Sequence, residues 1–141
     1  MNSRIVLACC ALITLGALAV AQKSNIVTVP APRTSATSGK EMYLAYCAAC
    51  HGREGSGDGP VAGALKTPPT DLTLLSERNH GRFPSGPVVN VITGSAGVPA
   101  HGSQEMPVWG PIFLAMGHQH ESEARLRVAN LADYLKSLQK K

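Results

Sequence analysis

Cys47-Ala48-Ala49-Cys50-His51 decides how the rest of the chain is read. Two thiols three positions apart, followed at once by an imidazole, form the sequence signature of covalent haem c attachment. Residues three apart on one helical turn project to the same side, so both sulfurs can reach the two vinyl-derived carbons along one porphyrin edge. His51 then points at the iron. A structural zinc site needs about four ligands, and no second cysteine pair follows to complete one. A thioredoxin-like dithiol explains the thiols, but not the adjacent histidine or the missing strand-helix-strand context. A disulfide or a buried thiol pair is the plain alternative.

Working outward, 141 residues allow one domain. The N-terminus reads as a targeting segment. Arg4 precedes an apolar run from Ile5 to Ala21 that closes with Ala19-Val20-Ala21, the small-x-small pattern of signal-peptidase sites. Residues 1–21 are expected to be a signal peptide cleaved before Gln22. The rival is an uncleaved anchor, because a span needs about 20 apolar residues and this run is at the short end. Too few apolar residues precede Cys9 for a lipoprotein site, so Cys9 and Cys10 leave with the leader and only Cys47 and Cys50 remain. A domain without a disulfide gains most from a covalently held plate of apolar surface. Residues 22–37, rich in Pro, Ser, Thr and Ala, read as a flexible tether, and residues 38–141 as the folded domain.

The 13 Lys and Arg against nine acidic residues give a formal charge of +4, lowered by one when Arg4 is removed. This balance, with 4% aromatic residues, excludes a nucleic-acid surface but allows charge-steered encounter with an acidic partner protein.

Ser38 followed by Glu41 is a capping-box pattern that starts a helix running through Met42 and Tyr43 to the cysteines. Gly39 early in it hints at a closely crossing helix. Gly52 to Pro60 is a tight loop, and no Gly-Lys-Ser/Thr element follows to make it a phosphate loop. A proximal histidine needs its second nitrogen fixed by a carbonyl. The turn at Pro60 is the candidate, with Pro68-Pro69 the alternative. Thr70 is expected to cap a short helix through Leu72, Leu74 and Leu75 that ends near Asn79. Ser85 and Pro87 open another helix carrying Val88, Val89, Val91 and Ile92, which Gly94 stops; these β-branched residues would also suit a strand, but no hairpin partner is evident. Ser122 caps a last helix to about Leu138. Its apolar stripe is Leu126, Val128, Leu131, Tyr134, Leu135 and Leu138, while Arg125, Arg127 and Lys136 face water. The stripe is expected to cross the first helix near Gly39 and Tyr43.

Glu105-Met106-Pro107-Val108-Trp109-Gly110 is the second informative stretch. A methionine beside a proline is presented from a stiffened loop, and its soft sulfur suits iron in an apolar pocket. Met106 is therefore the expected distal ligand, with core packing as the bland reading. His101 is the serious challenger, and Met42, Met116, His80, His118 and His120 are weaker ones. Trp109 is expected to cover the haem.

These motifs together resemble class I c-type cytochromes from Gly39 to about Leu138, and among them the bacterial monohaem proteins exported to the periplasm. The resemblance implies an all-α fold of three to five helices packed around one covalently attached haem. It implies thioether links at Cys47 and Cys50, proximal ligation by His51 and distal ligation by Met106. The stretch from Lys66 to Glu105 is longer than in the smallest members. With both axial positions filled, the expected function is a one-electron carrier between membrane or periplasmic redox partners, with no catalytic residue. Two alternatives remain open. One is a haem c subunit of a larger respiratory or dehydrogenase complex, touching the membrane through that complex or an uncleaved N-terminus. The other is a peroxidase-like or gas-binding protein if Met106 does not ligate, with His101 as distal acid-base.

Overall fold

The computed structural model describes residues 31–95 and 106–140. The expected signal peptide, residues 22–30 of the expected tether and the stretch holding His101 lie outside the described residues. Among those described, the chain is all-α, with six α-helices, two 3₁₀ turns and no strand. The count exceeds the expected three to five because the first helix is interrupted at Cys47 and because two of the six are single turns of four residues.

Helix α1, Gly39–Tyr46, starts as its capping residues dictate: Ser38 is extended and its hydroxyl accepts the Glu41 N–H at 3.2 Å. The Glu41 carboxylate does not return to Ser38 but accepts the Ser35 N–H at 3.2 Å. Cys47 turns the chain into α2, Ala48–His51. Asp71, rather than Thr70, caps the next element. Its carboxylate accepts the Thr73 N–H at 2.8 Å and opens the 3₁₀ turn Leu72–Leu74, which runs into α3, Leu75–Arg78. Helix α4 spans Ser85–Thr93 and stops at Gly94 in the left-handed conformation. Its β-branched residues do not prevent helix formation, because Val88 and Ile92, four apart, are buried on one face. Helix α5 is Trp109–Met116 and α6 is Glu121–Ser137. Ser122 is not the cap of α6. His120 holds that position without a side-chain bond, and Glu121 and Glu123 complement the helix dipole.

Helix α6 packs against α1, α4 and α5. It crosses α1 at Gly39, where an added Cβ would strike the Asn130 carbonyl and Tyr134 Cβ, so only glycine permits this approach. One turn on, the Tyr43 and Tyr134 rings meet with centroids 5.3 Å apart. Tyr43, Phe113, Met42 and Leu131 are the largest fully buried side chains.

Two expectations for α6 are corrected. Leu126 is 44% exposed, whereas Arg127, expected in water, is 6% exposed. The phase of the stripe explains both: Arg127 stands four residues before Leu131 on the inner face, and Leu126 is rotated out of it. Arg127 is tolerated there because its fork is satisfied. Nε and Nη2 donate to Glu123 Oε1 at 3.2 and 2.9 Å, and Nη1 donates to the Thr34 carbonyl at 3.0 Å and hydroxyl at 3.2 Å. Residues 31–37 are accordingly no tether. Asn130 Nδ2 donates to the Ala36 carbonyl at 2.9 Å and the Tyr46 hydroxyl to the Pro32 carbonyl at 2.6 Å, strapping this segment to α1 and α6.

Candidate functional site

The short helix α2 carries Cys50 and His51, with Cys47 at its N-cap. A helix of four residues leaves all its carbonyls unpaired within itself, and the glycine-rich loop after it supplies the missing donors. Ala48 O accepts from Gly52 N at 2.9 Å, Ala49 O from Val61 N at 3.1 Å, Cys50 O from Gly59 N at 3.1 Å and His51 O from Gly57 N at 2.8 Å. The loop thus folds back along the motif and holds it rigid. Gly57 lies at φ +85°, and an added Cβ would meet the Pro69 carbonyl, so this turn requires glycine. The Tyr43 hydroxyl, buried, donates to the Gly52 carbonyl at 2.6 Å.

His51 Nδ1 lies 3.0 Å from the Thr70 carbonyl oxygen. A carbonyl only accepts, so Nδ1 carries the proton and Nε2 is the nitrogen with the lone pair. This tautomer is the one a metal ligand needs. The acceptor therefore belongs to the Pro68-Pro69 segment, and the expectation for Pro60 is corrected. Pro60 sits between Gly59 and Val61, whose N–H groups cap α2, and its place is in closing that loop. Its stiff turn runs along the back of α2, whereas Pro68-Pro69 carries the chain past the imidazole.

Cys47, His51, Met106 and Trp109 line a single cleft. Leu72, Leu75, Val88, Val91, Ile92, Leu131 and Leu135 complete its walls, which are almost wholly hydrocarbon. Cys50, half-buried, lies one helical turn from Cys47 and outside this lining. Neither cysteine is in a disulfide. Burial, reinforced by the neighbouring Cys50, pushes the Cys47 thiol up to about 12, so in the free chain it is a neutral thiol. Burial also raises the Tyr43 phenol well above its ordinary range, with Cys47 adding to it, so Tyr43 acts only as a neutral donor.

Trp109 is 8% exposed, its ring stacked on Tyr46 with centroids 4.8 Å apart and tilted on Phe113 at 5.7 Å. These neighbours fix the indole as one wall of the cleft. The rival ligands among the described residues stand elsewhere. Met42 is fully buried with Sδ 3.9 Å from Arg127 Nη1, and Met116 Sδ is 3.9 Å from the Tyr46 hydroxyl. His80, His118 and His120 are exposed, and His101 lies outside the described residues.

Sequence reasoning missed three participants. The Thr70 carbonyl carries no side-chain signal beyond the prolines before it. Leu131 and Leu135 read only as helix-crossing core, yet they also face the cleft. An apolar slot holding an imidazole of the correct tautomer, a thioether and a thiol fits an iron porphyrin, which is flat, largely apolar and able to take a nitrogen and a soft sulfur ligand.

No curated protein and no solved structure matches the chain. The family model described as Cytochrome c matches residues 36–139, nearly the whole of the strapped domain. The chain belongs to the cytochrome c family, all-α and carrying one covalently bound haem c.

Proposed function

We propose that this protein is a periplasmic one-electron carrier of the class I type, linking membrane or periplasmic redox partners. Haem-based electron transfer is the general business of the family. The observation that carries the finer reading is that His51 and Met106 line the same apolar cleft as Cys47. Cys47 and Cys50 would hold the haem by thioether bonds, and His51 and Met106 would supply its nitrogen and sulfur ligands. The haem supplies an Fe(III)/Fe(II) couple. The chain holds the His51 proton on Nδ1 through Thr70, excludes water with leucine, valine and Trp109 side chains, and offers sulfur from Met106. A soft thioether and a dry pocket both favour the reduced state and raise the potential. With both of these ligands on the iron, no coordination site would be open to a substrate. The apolar run from Ile5 to Ala21 supports export.

The test is an optical spectrum of the oxidised protein, with carbon monoxide added after reduction. A weak red-edge sulfur-to-iron charge-transfer band and indifference to carbon monoxide are expected. A missing band with prompt carbon monoxide binding would mean an open iron, and the carrier reading would give way to a gas-binding or peroxidase-like one.

A further inference from the structure

The segment that presents the Thr70 carbonyl has no regular structure of its own from Pro68 to Asp71. Its position has to come from tertiary contacts, made by the glycine-rich loop before it and by the last turn of the molecule. Gln139 lies just beyond α6. Its Oε1 accepts the Ser76 N–H at 2.8 Å, and its Nε2 donates to the Leu72 carbonyl at 2.8 Å and to the Leu135 carbonyl at 2.8 Å. The first of these caps α3, which has no local side-chain cap. The third anchors the amide to its own helix. The second grips the chain two residues after Thr70, where the Leu72 N–H is already tied to the Gly55 carbonyl at 2.7 Å. Next to it, the Lys140 N–H donates to the Thr73 carbonyl at 3.0 Å.

We infer that Gln139 is a positioning residue for the proximal ligand: it sets the register of Leu72–Ser76 against α6 and thereby aims the Thr70 carbonyl at His51 Nδ1. This rests on the reading of His51 as an axial ligand. All three polar partners of the side chain are backbone groups, so one amide reads the path of the chain directly. A hydrogen bond from Nδ1–H to a carbonyl makes the imidazole more electron-rich and stabilises Fe(III). Loosening Thr70 therefore raises the potential.

The experiment compares the holoprotein with Gln139→Ala and Gln139→Glu. It measures the reduction potential, thermal stability and, by NMR, the exchange of the His51 Nδ1 proton. A glutamate keeps an acceptor for Ser76 N–H but has no donor for the Leu72 carbonyl. Both variants are expected to raise the potential and to speed that exchange about tenfold. If stability falls but potential and exchange stay at the parent values, Gln139 is a cap for α3 and the inference is overturned. Should Gln139→Ala fail to fold, Gln139→Glu alone decides on the same two readouts. A parent protein without a haem-shifted His51 ring proton would overturn the ligand reading as well, whereas a parent that shows it beside unmoved variants overturns only the role of Gln139.

Discussion

Arg127 Nη1 donates to the Thr34 carbonyl oxygen at 3.0 Å, joining residues 93 apart in the chain. Through this bond a segment with the composition of a linker becomes part of the folded domain. Arg127→Leu removes both hydrogen bonds from the guanidinium to Thr34, and the cost is expected to be about 1–3 kcal/mol. Glu123, 36% exposed, can rehydrate and limits the loss. At about 4–8 °C per kcal/mol for a domain of this size, thermal unfolding reads the effect easily. Arg127→Lys restores little, because an ammonium cannot serve Glu123 and Thr34 in the same fork. An unchanged melting temperature in Arg127→Leu would show that the strap contributes nothing to stability.

Gly39→Ala tests the helix crossing. The added methyl meets the Asn130 carbonyl, which is backbone and cannot rotate aside, so a loss of roughly 3 kcal/mol is expected. Gly86 in α4 has open space around its Cβ position, and Gly86→Ala serves as the control. It is expected to be neutral or stabilising by up to about 1 kcal/mol. Equal effects at the two sites would contradict the crossing.

Met106→Ala is expected to fold and keep its haem through the thioethers. It gains an open coordination position and a lower potential, by a fraction of the roughly 0.8 V range that axial ligands span. Carbon monoxide binding and potentiometry of the purified variant check this. A spectrum and potential equal to the parent's would remove Met106 from the iron.

Asp71 titrates below its ordinary value of 3.8. The hydrogen bond from the Thr73 hydroxyl is the main cause, partly opposed by burial and assisted by the Thr73 N–H and Lys140. Because the folded state holds this carboxylate more acidic than the unfolded chain does, its contribution is complete above the ordinary carboxylate range. It is lost as pH falls below about 4 through the depressed value. The stability gap between the parent and Asp71→Asn is therefore expected to be constant near neutrality and to shrink in acid. Parallel melting-temperature profiles down to low pH would show that Asp71 has no part in acid sensitivity.

The sequence alone determined what depends on near neighbours. The spacing of Cys47, Cys50 and His51 defines the haem motif, Ser38 and Gly94 set the ends of α1 and α4, and the period of Leu131, Tyr134 and Leu135 gives α6 its inner face. Each is a relation within one or two turns, so residue type and spacing suffice. Tertiary structure decided what backbone groups do. The acceptor for His51 is the Thr70 carbonyl, the anchors of residues 31–37 are the carbonyls of Pro32, Thr34 and Ala36, and Gln139 holds Leu72 by main-chain atoms. A carbonyl is the same in every residue, so no side-chain pattern announces which one a distant donor will reach. Arg127 shows the limit most clearly: its charge argued for water, and only the convergence of Glu123 and Thr34 around its fork made burial the lower-energy choice.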